Sequence, residues 1–219
     1  MLASVARKTL MALTGLFLCL FLAVHLLGNL QLFLPDGEAQ SQFNWYASFL
    51  SGLPLIKIAA WMTYICIVAH TLLAIVLELR NRKSAGVGYQ GQAPTSLAPW
   101  YSRMMSLLGL VILVFLIVHM SDFWWPFKTG ADLGTDPEGQ RDLFGLVVLE
   151  FQKGWKVILY VVGVLAVGFH LGHGFYSGLR SLGVSHPGYA RWLRIFGYIF
   201  AIGLTLGFAA MPIYLYFAK

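Results

Sequence analysis

Charge is scarce in this chain: Asp, Glu, Lys and Arg make up 11% of its 219 residues, against 58% hydrophobic residues. A soluble domain carries about 25% charged residues, so a water-soluble globular fold is excluded. There are only two cysteines, Cys19 and Cys66. Each lies in an apolar run, where a thiol behaves as a small hydrophobe, and no disulfide framework is implied. The central parts of the apolar runs contain no Asp or Glu, which argues against a membrane proton relay built on carboxylates. No internal repeat is present, and basic residues are dispersed over short loops, so nucleic-acid binding is not supported.

What the chain has in abundance is long apolar sequence. A spanning helix needs roughly 20 mostly apolar residues, and five stretches qualify, at about 9–33, 55–79, 104–126, 155–178 and 193–217. The expected fold is therefore an all-α integral membrane bundle of five transmembrane helices forming a single domain over 1–219. The basic, apolar start resembles a signal peptide, but its run is too long and no small-residue cleavage site follows, so it is read as the first span. Between spans, 81–100 is rich in Gly, Pro and Ser and reads as a docking or ordered loop. The DPEGQRDLFGLVVLEFQ stretch reads as a short amphipathic helix.

Lys and Arg concentrate on the cytoplasmic side of membrane proteins. With the N-terminus inside, the inner face receives Arg7, Lys8, Arg80, Arg82, Lys83, Arg103, Arg180, Arg191 and Arg194 against Glu78 alone. The outer face receives six basic residues and eight acids, so the net charge of +6 divides into +8 inside and −2 outside. An N-in, C-out topology is expected. The basic face would also suit anionic lipid or an acidic protein.

Four histidines, His25, His70, His119 and His170, each occupy a different apolar stretch. An ionisable side chain in the bilayer is expensive and marks function by default, and four in four helices call for a shared cause. Centring each helix on its apolar run sets His25 and His119 at one level and His70 and His170 at another, roughly 10–12 Å apart along the membrane normal. Two bis-histidine sites of this kind suit two haems b, one imidazole from each of two helices completing the axial coordination of each iron. No C-x-x-C-H motif occurs, so attachment would be non-covalent. Helix four also carries His173, about 300° round the helix from His170; His170 is taken as the ligand and His173 as a neighbour able to hydrogen-bond a propionate or a quinone. His186, in SHPGY, reads as solvated or partner-facing.

Small residues could admit a porphyrin. Gly15 and Gly109 each precede their helix's histidine by ten residues, placing them near the other pair, while Gly28 and Gly174 follow His25 and His170 by one turn. A quinone needs an apolar slot with a few polar groups, and the sequence near His25 offers Gln31, Asp36, Glu38, Trp45 and Tyr46, with Asp122 and Trp124 beside His119. On the inner side Arg103, Arg180 and Tyr176 could hold propionates.

With VHLLGN around His25, AHTLLAI around His70, VHMSDFW around His119 and FHLGHGFYSGLRSLG around His170, the chain resembles, over nearly its whole length, the single-subunit, five-helix, dihaem cytochrome b anchors of succinate dehydrogenase and fumarate reductase. The resemblance implies that His25 and His119 hold a distal haem, and His70 and His170 a proximal one. It further implies a flavoprotein and an iron-sulfur subunit on the inner face, a quinone substrate, menaquinone being the expected type, and residence in a bacterial cytoplasmic membrane. One departure concerns protons: some members carry a carboxylate beside the fourth-helix ligand, where this chain has Gly168 and Leu171. Two alternatives remain at this point. One is a cytochrome b of a hydrogenase or formate dehydrogenase, and the other a haem-free transporter using the histidines as proton sites.

Overall fold

A computed structural model describes residues 2–35, 37–84 and 104–219, without side chains for 2–4 and 81–84. The long apolar runs form five helices able to cross a membrane, Val5–Phe33, Pro54–Arg80, Met105–Thr129, Gly154–Ser181 and Pro187–Ala218, as expected from length and hydropathy alone. No strand occurs among the described residues beyond an isolated bridge between Thr135 and Arg141. The helices are α1 (Leu2–Asn29), α2 (Glu38–Gly52), α3 (Pro54–Ser84), α4 (Met105–His119), α5 (Trp125–Thr129), α6 (Leu143–Phe151), α7 (Gly154–Ser181) and α8 (Pro187–Ala218). A 3-10 turn, Leu30–Phe33, continues α1, and a π-turn, Met120–Trp124, joins α4 to α5.

Helix ends follow local chemistry. Pro54 and Pro187 open α3 and α8, where a proline's missing N–H would have had no partner. His186 is the N-cap of α8, its Nδ1 accepting from the Gly188 N–H at 3.1 Å. That role accounts for its place in the loop without a partner protein. The α5 helix ends at Gly130, which takes φ +75, a conformation that favours glycine. Arg141 donates to the carbonyls of Phe127 and Ala131 at 2.8 and 3.0 Å, satisfying that end.

The bundle has a definite cross-section. α1 packs along α3 and α7, and α4 packs along α7 and touches α3, so these four form a quadrilateral with α8 laid against α7. The diagonals, α1 to α4 and α3 to α7, lack extended backbone packing. Large apolar side chains such as Leu20, Leu27, Ile58, Trp61, Ile65, Ile117 and Ile158 point outward, as a lipid-facing surface requires.

One end of the bundle is closed by α2, the 130–142 turns and α6. The α2 helix was not foreseen as an element: it is too short and too polar to read as a span, and it is anchored by polar side chains, Gln40, which donates to Asp142 at 2.8 Å, and above all Asn44. Asn44, 1% exposed, donates to Asp136 at 3.1 Å and to Asp142 at 3.0 Å, and accepts from the Phe144 N–H at 2.9 Å. Asp142 is also the N-cap of α6, accepting from Gly145 N–H at 2.9 Å. The foreseen amphipathic helix is α6, with Val147 and Phe151 buried in the core beside Tyr160, Met211 and Leu215. Gln152 donates to the Leu215 carbonyl at 2.9 Å, satisfying the last turn of α8.

Two outcomes follow. Asn44→Ala leaves buried carboxylates and an N–H without their shared partner, and should lower stability by about 2 kcal/mol, read as a lower thermal midpoint in detergent. Burial pushes the Asp142 carboxyl up, but hydrogen bonds from Asn44, Gly145 and Gln40 outweigh it and hold the group below its ordinary 3.8. Its stabilisation is therefore complete well above pH 3.8 and is lost as pH falls through the lower folded value. Asp142→Asn should flatten that acid limb in a pH series of unfolding midpoints.

Candidate functional site

The long apolar helices bring the four intramembrane histidines together in two pairs, one on each diagonal. His25 on α1 and His119 at the end of α4 have ring centroids 5.9 Å apart, nearly perpendicular at 88°. His70 on α3 and His170 on α7 are 6.2 Å apart at 68°. It is His170, and not His173, that faces His70.

Depth can be read from neighbours on the shared helices. His70 sits at the level of Thr14 and Gly15 of α1, and His25 lies eleven residues further along that helix, about 16 Å by rise. On α7, Tyr160 packs against His119, ring centroids 5.9 Å apart, and His170 lies ten residues further on, about 15 Å. Both helices thus separate the pairs by more than the roughly 10–12 Å expected. The expectation centred each helix on its apolar run, whereas the helices extend past those runs by different amounts at each end.

The surroundings of the pairs differ. His25 and His119 lie in an aromatic cage of Phe21, Phe115, Phe123, Tyr160 and Phe208, with centroid distances from 5.3 to 5.9 Å. Asn29 donates to the His25 carbonyl at 2.7 Å and lies 3.5 Å from its Nδ1. His70 has a hydroxyl partner, Thr14, at 3.2 Å. Gly15 backs it so closely that a Cβ there would sit 3.1 Å from the ring. Gly15 therefore lies beside the other pair, and the space it leaves is taken by the His70 ring itself. Gly109 and Gly174 face open space, and Gly28 makes room for the Tyr46 ring, 2.9 Å from where its Cβ would be.

Each pair contains a ring nitrogen that is buried without a partner, His119 Nδ1 and His170 Nδ1. A buried polar atom left unpaired costs about 1–3 kcal/mol, and neither ring has a protein partner among the described residues to fix which nitrogen carries its proton. The ring centroids of each pair are about 6 Å apart, a spacing that would let both rings reach one metal and that the packed rings around His119 share. No group of three or more His, Cys, Asp or Glu able to hold a bare metal ion occurs among the described residues. A macrocycle that brings its own four ligands would need only two from protein, and each diagonal pair could supply two. The same end as His70 carries Arg7, whose Nε is buried without a partner among the described residues; it precedes Thr14 by seven residues and so shares its face of α1. Sequence reasoning passed it over because it was counted only as a topology charge.

The end beside His119 holds an ion cluster. Asp122 lies toward the end of its span, outside the central part that carries no carboxylate. Lys156, 7% exposed, bonds Asp122 at 2.5 Å and also Glu150, while Tyr160 donates to Asp122 at 2.9 Å. The π-turn immediately after His119 carries Asp122, and Trp124 donates to the Tyr64 hydroxyl at 2.6 Å, tying α3 to that turn. Lys156, Glu150 and Tyr160 were missed because they looked like interfacial residues, and only the packing of α6 and α7 on the π-turn joins them.

The foreseen quinone residues separate. Gln31, Trp45 and Tyr46 line one cavity of about 500 Å³ with Ser41, Gln42, Glu138 and Gln140. Glu38 stands nearby, accepting from Gln42 at 2.8 Å. Asp122 is engaged with Lys156 and Tyr160, and Asp36 lies outside the described residues, as do Arg103 and the 85–100 part of the docking loop. Tyr176 is 3.3 Å from the Ser185 hydroxyl, with the Arg194 guanidinium 4.9 Å above its ring. Arg180 follows His173 by seven residues, about two turns along α7. Compared with known proteins, the chain matches no family model, no curated protein and no solved structure.

Removing one member of a buried ion cluster is more damaging than never having it. Lys156→Met should destabilise the protein by about 3 kcal/mol, while adding Asp122→Asn and Glu150→Gln to it should recover much of the loss. Thermal unfolding of the single and triple variants in detergent measures this.

Proposed function

We propose that this chain is the dihaem b membrane anchor of a succinate:quinone oxidoreductase, carrying electrons between an iron-sulfur subunit and a membrane quinone. The observation that supports the reading is the disposition of the histidines: two pairs, one on each diagonal of four packed helices, each with its two rings about 6 Å apart. Haem b bound between such pairs supplies one-electron exchange, and two protein ligands on each iron leave no position for oxygen.

The residues divide the remaining work. His25 with His119 would hold one haem, and His70 with His170 the other. Arg7 is placed to meet a propionate at the His70 end, with Arg180 and His173 further candidates on α7. The resemblance of the four histidine segments to succinate dehydrogenase anchors supports a flavoprotein and an iron-sulfur subunit as partners, and menaquinone as substrate. An N-terminus on the cytoplasmic side of a bacterial membrane, required by the positive-inside rule, would put the His70 pair toward those partners and the His25 pair toward the opposite surface. There, the cavity of Gln31, Trp45, Tyr46, Gln42 and Gln140 offers amide and hydroxyl groups for a quinone headgroup beside an aromatic wall. The haem-free transporter is disfavoured by spans without the broken helices such sites often use.

A reduced-minus-oxidised visible spectrum of the purified chain should show a b-type band at two haems per chain. His25→Ala or His119→Ala should remove one haem, His70→Ala or His170→Ala the other, and His173→Ala neither. A chain with no Soret absorption would end the proposal.

A further inference from the structure

Thr14 lies one face of α1 away from the lipid and reaches across to α3. Its hydroxyl oxygen is 2.9 Å from the Leu10 carbonyl, 3.1 Å from the Met11 carbonyl and 3.2 Å from His70 Nδ1. A threonine hydroxyl has one proton and two lone pairs. Both carbonyls can only accept, and a threonine within a helix usually gives its proton to the turn behind it. With the proton so placed, Thr14 presents a lone pair to His70, beside the Met11 carbonyl that also reaches that ring, and the contact is a hydrogen bond when His70 Nδ1 carries the proton.

We propose that Thr14 is a positioning residue for His70: by accepting the Nδ1 proton it fixes the tautomer whose Nε2 lone pair is free to bind a metal. This rests on the reading of His70 as a haem ligand. The partner of one ring nitrogen decides which nitrogen coordinates, and an acceptor on Nδ1–H makes the ring a stronger donor to the metal. Gly15 adds the steric half of the device. A side chain there would press on His70 Cε1, so the bare backbone lets the Cε1–Nδ1 edge of the ring come up against α1 while Thr14 sets its rotation. His170, across the pair, has a buried Nδ1 with no such acceptor. The two ligands of this site are thus unequal, and α1, which contributes no ligand to it, controls the stronger one.

The test compares Thr14→Val, which keeps the branched shape and removes the oxygen, with Thr14→Ser, which keeps the oxygen. Both are made in the whole chain and measured in membranes by redox titration and by haem content after detergent washing. Thr14→Val should weaken retention of one of the two haems about tenfold. The midpoint potential of that same haem should rise by about 30 mV, a threefold change in its oxidised-to-reduced ratio at 59 mV per tenfold. The other haem should be unmoved, and Thr14→Ser should behave as the parent. If Thr14→Val loses the haem outright, retention in Thr14→Ser supports the role and loss there overturns it. Unchanged potential and retention in Thr14→Val, with two haems in the parent, overturn the role of Thr14 alone. A parent chain without haem fails the functional reading beneath it.

Discussion

An imidazole inside a lipid-facing bundle has no water to satisfy it, and four of them in one small protein set the terms for everything around them. A hydrogen bond left unmade in that setting costs about 1–3 kcal/mol, so the helices must either supply partners or leave space for something that does. This bundle does both, and unequally. Thr14 meets His70 and Asn29 lies beside His25, while one nitrogen on each of His119 and His170 remains unmet. The quadrilateral of α1, α3, α4 and α7, packed closely along the α1–α3, α1–α7 and α4–α7 edges and without extended packing across its diagonals, is the arrangement that permits this.

The second constraint lies at the α2–α6 end, where polar groups are sealed by one another. Asn44 binds two carboxylates and a backbone N–H; Lys156 joins Asp122 and Glu150. Burial pushes the Glu150 carboxyl up, yet hydrogen bonds and charge from Lys153 and Lys156 outweigh it and hold the group below its ordinary value. Such clusters contribute little net stability compared with apolar packing, but they tolerate no missing member. They fix how α6 and the π-turn sit on α7, and so where α4 delivers His119. The aromatic cage then does the rest, since Phe115, Phe123 and Tyr160 leave the ring little freedom.

Much of this was legible in the residues and some was not, and the division has a physical basis. The five spans follow from hydropathy, a property of each segment alone, and the pairing of histidines follows from their positions within those segments. The separation of the two levels was underestimated, because a helix's apolar centre is not the centre of its contacts. The α2 helix escaped notice because Asn44, its anchor, is bonded to residues almost a hundred positions away. Gly28 looked like relief for a ligand one turn before it, yet its space is taken by Tyr46 from α2. Asp122 was read as a quinone group and Lys156 as surface charge; only the folded chain reveals that each satisfies the other.

α1 emerges as the organising element of the histidine sites. It carries one of the paired histidines, His25, and beside it Asn29; ten and eleven residues earlier it carries Gly15 and Thr14, which hold a histidine of the other pair; and seven residues before Thr14 it carries Arg7. All of this lies on one helix because its rise carries a single face past both levels of the bundle. The two sites consequently share a scaffold but not an environment. One is an aromatic cage beside a buried ion cluster, and the other is backed by a hydroxyl and a bare glycine, with a cation nearby. If both sites hold the same cofactor, the difference between them is written in these neighbours, and with it the order in which electrons would find each site favourable.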